Sequence, residues 1–138
     1  MKLIHTLTQE TLSLSFEVFP PKQDSAFDSV KKATEEIAKL RPAFVSVTYG
    51  AGGPSQYTLD IAKNIKDSYD VSTLAHLTCV SSTKETVHRK IEEIKAAGIE
   101  NIMALRGDIP ADMDLSHQES WAYRHAIDLI RELKESGA

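Results

Sequence analysis

Four short apolar runs recur along the chain at intervals of about 30 residues, which is the length of one strand–helix–strand step. Each run is rich in β-branched or large apolar side chains and ends at turn or polar residues, as is typical of strands. The runs are LSFEVF (14–19), FVSVTY (44–49), LAHLTCV (74–80) and NIMAL (101–105). The repeat therefore predicts a parallel α/β sheet with right-handed crossovers.

The segments between and after these runs have the apolar spacing of amphipathic helices. They cover residues 24–40, 56–68, 81–98 and 120–137. In the third segment, Ser82 and Glu85 have the spacing of a capping box, and Gly98 stands where a helix-ending glycine belongs. No linker or second composition class interrupts this order, so we expect a single domain over residues 1–138.

Two architectures accept this order of elements, a doubly wound open sheet and part of a (β/α)8 barrel. Strands buried on both faces read as continuous apolar runs, but three of these strands alternate polar and apolar residues. The polar positions are Ser13, Ser15 and Glu17, then Ser46 and Thr48, then His76 and Thr78, with Arg106 and Asp108 following the fourth run. A barrel uses such alternation, because one face meets the helices and the other lines an interior that opens at the carboxyl ends of the strands.

Glu17 is the acid in an otherwise apolar stretch that two prolines end. One interpretation places it at a strand rim, where it reaches water or pairs with a lysine. The other gives it a chemical role, because a carboxylate flanked by Phe16, Val18 and Phe19 is expected to have a raised pKa and to hold a proton near neutral pH.

Composition excludes some classes of protein. The net charge of −4 argues against a general nucleic-acid binder. Cys79 is the single cysteine, so no intrachain disulfide is possible. On a strand Cys79 should also face away from His76, so the two cannot share a metal ion and we assign none. The first ten residues are too polar for a signal peptide and no run approaches the roughly 20 apolar residues of a membrane span. We therefore expect a cytoplasmic protein.

Four motifs stand in order, one per strand: SFEVFPPK, FVSVTYGAGG, AHLTC and ALRGDIP. With them the chain resembles the methylenetetrahydrofolate reductase family over essentially all of its length. The resemblance implies a (β/α)8 barrel with FAD at its carboxyl-end mouth. It also implies reduction of 5,10-methylenetetrahydrofolate to 5-methyltetrahydrofolate, for methionine synthesis in one-carbon metabolism. NADH or NADPH would reduce the flavin and leave before the folate binds.

The resemblance also assigns residues by position. Glu17 matches the family's general acid, and Asp108 matches the carboxylate beside flavin and pterin. The other positions matching flavin contacts are Thr48, His76, Leu105, Arg106, Gly107 and Ala126. A family tyrosine that precedes this alanine is replaced here by His125.

Length is the large departure, since a barrel of this kind takes about 250 residues and this chain supplies four strand–helix units. A half-barrel has two bare edge strands, near 14–19 and 101–106, and we expect homo-oligomers. One alternative is therefore a truncated, non-catalytic half-barrel that self-associates. Another is a barrel enzyme that uses Glu17 and Asp108 as an acid–base pair without flavin.

Overall fold

The structure is a computed structural model that describes residues 2–8, 12–49, 55–109, 111 and 121–137, with the side chains of 55 and 56 excepted. Within these ranges, strands and helices alternate along the chain. They are α1 (Leu3–Leu7), β1 (Ser15–Val18), a 3-10 turn (Asp24–Ala26), α2 (Phe27–Lys39), β2 (Phe44–Val47), α3 (Ser55–Tyr69), β3 (Thr73–Thr78), α4 (Lys84–Ala96), β4 (Ile102–Leu105) and α5 (Ala126–Glu135). The GAGG loop at 50–53 lies outside the described residues.

The four strands form one sheet in the order β1-β2-β3-β4, and each neighbouring pair is parallel. Right-handed crossovers between consecutive neighbours place every crossover helix on the same side of the sheet. A doubly wound sheet would need the strand order to reverse. The sheet is therefore four successive units of a (β/α)8 barrel, and the predicted fold class is confirmed for this half.

The register separates the side chains of the strands into two faces. Apolar side chains fill the face that meets the helices: Val45, Val47 and Cys79 are fully buried and Leu77 is nearly so. The other face is concave in a barrel and carries Glu17 beside Ser46, with His76 and Thr78 on β3. The predicted alternation of polar and apolar positions is thus confirmed, and His76 and Cys79 face opposite sides.

A short helix that the sequence did not predict covers the amino end of the sheet. Leu3 of α1 is buried, and its backbone N–H donates to Asn101 Oδ1 at 2.8 Å. The amide of Asn101 in turn donates to the carbonyl of Thr73, at the start of β3, at 3.1 Å. Helix α1 therefore lies opposite the carboxyl ends of the strands, the end at which a barrel opens.

Two predicted helix starts are wrong. Helix α4 is capped by Thr83 rather than Ser82, because the Thr83 hydroxyl accepts the backbone N–H of Thr86 at 3.2 Å. Helix α5 begins at Ala126 and not near residue 120, because the Asp128 carboxylate accepts the backbone N–H groups that precede the first turn. The predicted end of α4 is confirmed: the N–H groups of Gly98 and Ile99 bond back to the carbonyls of Lys95 and Ile94.

Candidate functional site

Three neighbouring strands bring a carboxylate, a hydroxyl and an imidazole together on the concave face. The Oγ of Ser46, on β2, lies 2.7 Å from His76 Nε2, on β3, in a buried hydrogen bond. The Oε2 of Glu17, on β1, lies 3.8 Å from the same nitrogen. We call Glu17, Ser46 and His76 the polar trio. The parallel register creates it, since Glu17 pairs with Ser46 and both point to the face on which His76 lies.

His76 is held neutral near pH 7 by its surroundings. Its side chain is 8% exposed, and burial lowers its pKa because the imidazolium loses hydration. The nearby Glu17 carboxylate opposes this shift in part, since a negative charge favours the imidazolium. At neutral pH the ring therefore offers one donor and one acceptor nitrogen.

Contrary to the expectation from the sequence, the apolar neighbours of Glu17 along the chain do not enclose its side chain. Phe16 and Val18 point to the helix side of the sheet, because neighbouring residues on a strand alternate between faces. The Glu17 side chain is 50% exposed, while Phe19 is 68% exposed beyond the end of β1. Its carboxylate is therefore open to a ligand that enters the concave face.

Thr48 follows Ser46 by one step of the alternation, just beyond β2. Its backbone N–H donates to the Val18 carbonyl at 3.0 Å, and its carbonyl accepts the Thr58 hydroxyl at 2.9 Å. Thr58 is itself buried against the sheet. These bonds fix the backbone of Thr48, and within the described part of the chain its own hydroxyl has no partner.

The segment after β4 is tied to the end of β3. The Val80 N–H donates to the Arg106 carbonyl at 2.7 Å, so this backbone continues the ladder beyond Leu105. Gly107 has a φ of +87°, and a Cβ there would lie 2.8 Å from Val80 Cγ1 and 3.1 Å from Thr78 Cβ. Only glycine fits this close approach without movement of β3.

The charged residues of this segment lie at the open end. Arg106 and Asp108 are both exposed. The Arg106 Nε donates to the Gly107 carbonyl at 3.2 Å, and no ion pair joins Arg106 to Asp108 in the structure as described. No described contact connects Asp108 with the polar trio, so its grouping with Glu17 stays a prediction.

Ala126 is the first residue of α5 and is partly buried. Its backbone position follows from the carboxylate of Asp128, which accepts the N–H groups of Arg124 and His125, each at 3.0 Å. These hydrogen bonds hold the pKa of Asp128 below its usual value. The contact of Ala126 with a cofactor stays a prediction.

Ser46 is the member of the site to which the sequence assigns no role. The alternation predicts a polar position on the inner face, but the resemblance does not include Ser46 among the site residues. The available signal was its register: a hydroxyl on β2 falls between the acid of β1 and the imidazole of β3.

The described ranges contain no helix that is both long and apolar enough to cross a membrane. They also contain no group of three or more His, Cys, Asp or Glu side chains placed to hold a metal ion.

Comparison with known proteins gives one family. The family model described as Methylenetetrahydrofolate reductase matches residues 2–138. The chain is 34% identical over 130 residues to the 5,10-methylenetetrahydrofolate reductase of Pectobacterium carotovorum, which covers 94% of this chain and 42% of that protein. It is 36% identical over 135 residues to Methylenetetrahydrofolate reductase 1 of Schizosaccharomyces pombe, covering 96% of this chain and 22% of that protein. It is 32% identical over 134 residues to Methylenetetrahydrofolate reductase (NADH) 1 of Zea mays, covering 96% of this chain and 23% of that protein. The chain thus spans less than half the length of these relatives.

Proposed function

The chain belongs to the methylenetetrahydrofolate reductase family, and on that premise we propose that it takes part in reducing 5,10-methylenetetrahydrofolate to 5-methyltetrahydrofolate. The reaction would use FAD as the bound cofactor and NADH or NADPH as the reductant, in the one-carbon metabolism of the cytoplasm that feeds methionine synthesis. The observation that carries this proposal is the polar trio, which presents a proton-transfer group beside a neutral imidazole at the open end of the sheet.

Glu17 is the proposed general acid. Opening the methylene bridge of the folate leaves electrons on a ring nitrogen, and a proton delivered there lets the bridge carbon become an electrophilic iminium. The half-exposed Glu17 carboxyl can reach a substrate on the concave face. Burial lowers the pKa of His76, its neighbour at 3.8 Å, which leaves the role of proton donor at neutral pH to Glu17.

Asp108 is proposed to lie beside the folate and the flavin. An exposed carboxylate just beyond β4 would attract the electron-poor parts of both groups and influence the flavin potential. Unlike Glu17, it has no described imidazole neighbour, and we assign it binding and electrostatic roles.

The chemistry of the concave face fits a flavin. The register places the apolar side chains of Met103 and Leu105 on the same face as His76 and Thr78, and Met103 is 37% exposed. A flat ring with a polar edge needs such a surface, apolar toward β4 and hydrogen-bonding toward β1 and β2. The residues proposed to hold it are Thr48, His76, Leu105, Arg106, Gly107 and Ala126. When bound, the flavin supplies the hydride that reduces the folate.

The sheet has two edges, β1 and β4, and a closed barrel has none. We therefore propose that the chain self-associates or joins further strand–helix units through these edges. Light scattering after size exclusion should show a dimer or larger species. A monomer with a stable, cooperative melt would contradict this part of the proposal.

One experiment tests the proposed function on the chain itself. FAD is titrated into the purified protein while visible absorbance and melting temperature are recorded, and then NADH and 5,10-methylenetetrahydrofolate are added. We expect saturable flavin binding, a rise in melting temperature and formation of 5-methyltetrahydrofolate. If flavin binds but no product forms, the chain is the non-catalytic alternative. If product forms without flavin, the correct alternative is the barrel enzyme that uses Glu17 and Asp108 as an acid–base pair without flavin.

A further inference from the structure

Ser46 and His76 form a buried polar pair with no counterpart elsewhere on the described concave face. Ser46 is 6% exposed and His76 is 8% exposed, so both polar side chains are largely removed from water. A buried hydroxyl and a buried imidazole are costly unless they bond to each other, and their 2.7 Å contact meets that need. The bond also fixes which nitrogen of His76 faces Glu17.

Both polar neighbours of His76 approach the same nitrogen. Ser46 Oγ lies 2.7 Å from Nε2 and Glu17 Oε2 lies 3.8 Å from it. A hydroxyl can donate or accept, so Ser46 alone is compatible with either tautomer. An ionised carboxylate on the same side attracts a proton on Nε2, so the three groups together favour the Nε2–H tautomer, with Ser46 as acceptor.

We propose that Ser46 is a positioning residue that holds the Nε2–H edge of His76 toward Glu17, so that the polar trio acts as one unit in handling the proton of Glu17. This inference deepens the proposed function and rests on it for its role in catalysis. Ser46 itself needs no contact with the substrate, because it acts through His76.

Among the strand residues that neighbour the His76 ring in the described part of the sheet, Glu17 is the one that carries a charge. From β1 the ring faces Glu17, from β2 it faces Ser46, and its register partner on β4 is the uncharged Met103. On the helix side, Lys90 and Glu93 of α4 line a cleft together with Leu77 and His76, but neither is a cause of the pKa shift of His76. In the described part of the chain, Glu17 is the one charged group that shifts the pKa of His76.

The test uses histidine side-chain NMR on the full chain without flavin or folate. Long-range ¹H–¹⁵N spectra recorded across a pH series give the tautomer and the titration of His76, which a His76→Asn variant assigns. We expect a roughly fivefold to tenfold excess of the Nε2–H form in the unmodified protein, if the attraction of the Glu17 carboxylate for a proton on Nε2 equals about one hydrogen bond of ordinary strength. Glu17→Gln should lower the pKa of His76, because it removes the charge that favours the imidazolium.

Ser46→Ala should bring the two tautomers closer to equal populations and should weaken the effect of Glu17→Gln on His76, because without the Ser46 hydroxyl the ring is free to turn Nε2 away from the Glu17 carboxylate. Ser46→Thr, which keeps the hydroxyl, should retain both properties, and Ser29→Ala on the exposed face of α2 is the matched control. If Ser46→Ala leaves the tautomer ratio and the Glu17 effect unchanged, the proposal is overturned. If Ser46→Ala fails to fold, the Glu17→Gln variant decides alone, because Glu17 is half exposed and its replacement should not disturb folding. An unchanged pKa and tautomer ratio of His76 in Glu17→Gln would then disprove the proposal.

Turnover separates this inference from the proposed function. If the chain reduces methylenetetrahydrofolate, Ser46→Ala should lower kcat on the order of tenfold with little change in KM. This loss in kcat is smaller than the loss expected on removing a general acid. If the His76 tautomer ratio depends on Ser46 and Glu17 as expected but the chain has no reductase activity, the proposed function is disproved and the positioning role stands. Normal activity without coupling would disprove the positioning role.

Discussion

Replacing Gly107 with alanine should be among the most destabilising small changes in this chain. The residue has a φ of +87°, and left-handed backbone costs a non-glycine residue about 1–2 kcal/mol. The new Cβ would also lie 2.8 Å from Val80 Cγ1 and 3.1 Å from Thr78 Cβ, both on half-buried side chains, and relieving such overlap typically costs about 1–3 kcal/mol. The free energy of unfolding should therefore fall by about 2–5 kcal/mol.

Gly98→Ala is the matched control. Gly98 has a φ of +66°, but a Cβ there would meet only the flexible Nζ of Lys66, at 3.1 Å. It should lose only the backbone contribution of about 1–2 kcal/mol. Both variants are compared with the parent by urea unfolding, followed by circular dichroism and by the fluorescence of Trp121. If Gly107→Ala is no more destabilising than Gly98→Ala, the segment after β4 does not pack against the end of β3 and the described site geometry is wrong.

Two further perturbations test local structure. Thr83→Ala should lower the free energy of unfolding by about 1 kcal/mol, because it removes the cap of α4, whereas Ser82→Ala should have little effect; equal losses in urea unfolding would contradict the assignment of Thr83 as the cap. Asp128→Asn should make the free energy of unfolding less dependent on pH in the acid range. The pKa of Asp128 is lowered by hydrogen bonds from the backbone of His125 and Arg124, so its contribution is present above the unfolded-state value of about 3.9 and is lost as pH falls through the lower folded value. Parallel pH profiles for the variant and the parent below about pH 4 would contradict this account.

Much of the fold follows from periodicity. The four apolar runs coincide with the four strands, and the period-two polar positions lie on the concave face, because burial against helices on one side only imposes that alternation. Element ends were less predictable. Ser82 and Thr83 are both good caps in sequence, and only the geometry of the Thr83 hydroxyl decides between them. Helix α1 has five residues, too few for a periodic signal.

The site was predictable only in part, for a similar reason. Polar residues at alternate positions of neighbouring strands indicated that Glu17 and His76 share a face, and the structure places them 3.8 Å apart. The exposure of Glu17 was not predictable, because neighbours in sequence on a strand point to opposite faces and do not enclose each other. The bond between Ser46 and His76 depends on the strand stagger, which composition does not encode.

The proposed role of Glu17 in the folate step, through the polar trio, is tested most directly by comparing two reactions of the Glu17→Gln variant. The first is NADH oxidation with menadione as acceptor, and the second is formation of 5-methyltetrahydrofolate. Glu135→Gln, an exposed change in the last turn of α5, is the control. We expect Glu17→Gln to keep NADH oxidation and to lose folate reduction by about 10²–10⁴-fold, the usual contribution of a general acid. Folate reduction at the parent rate in Glu17→Gln would contradict the account.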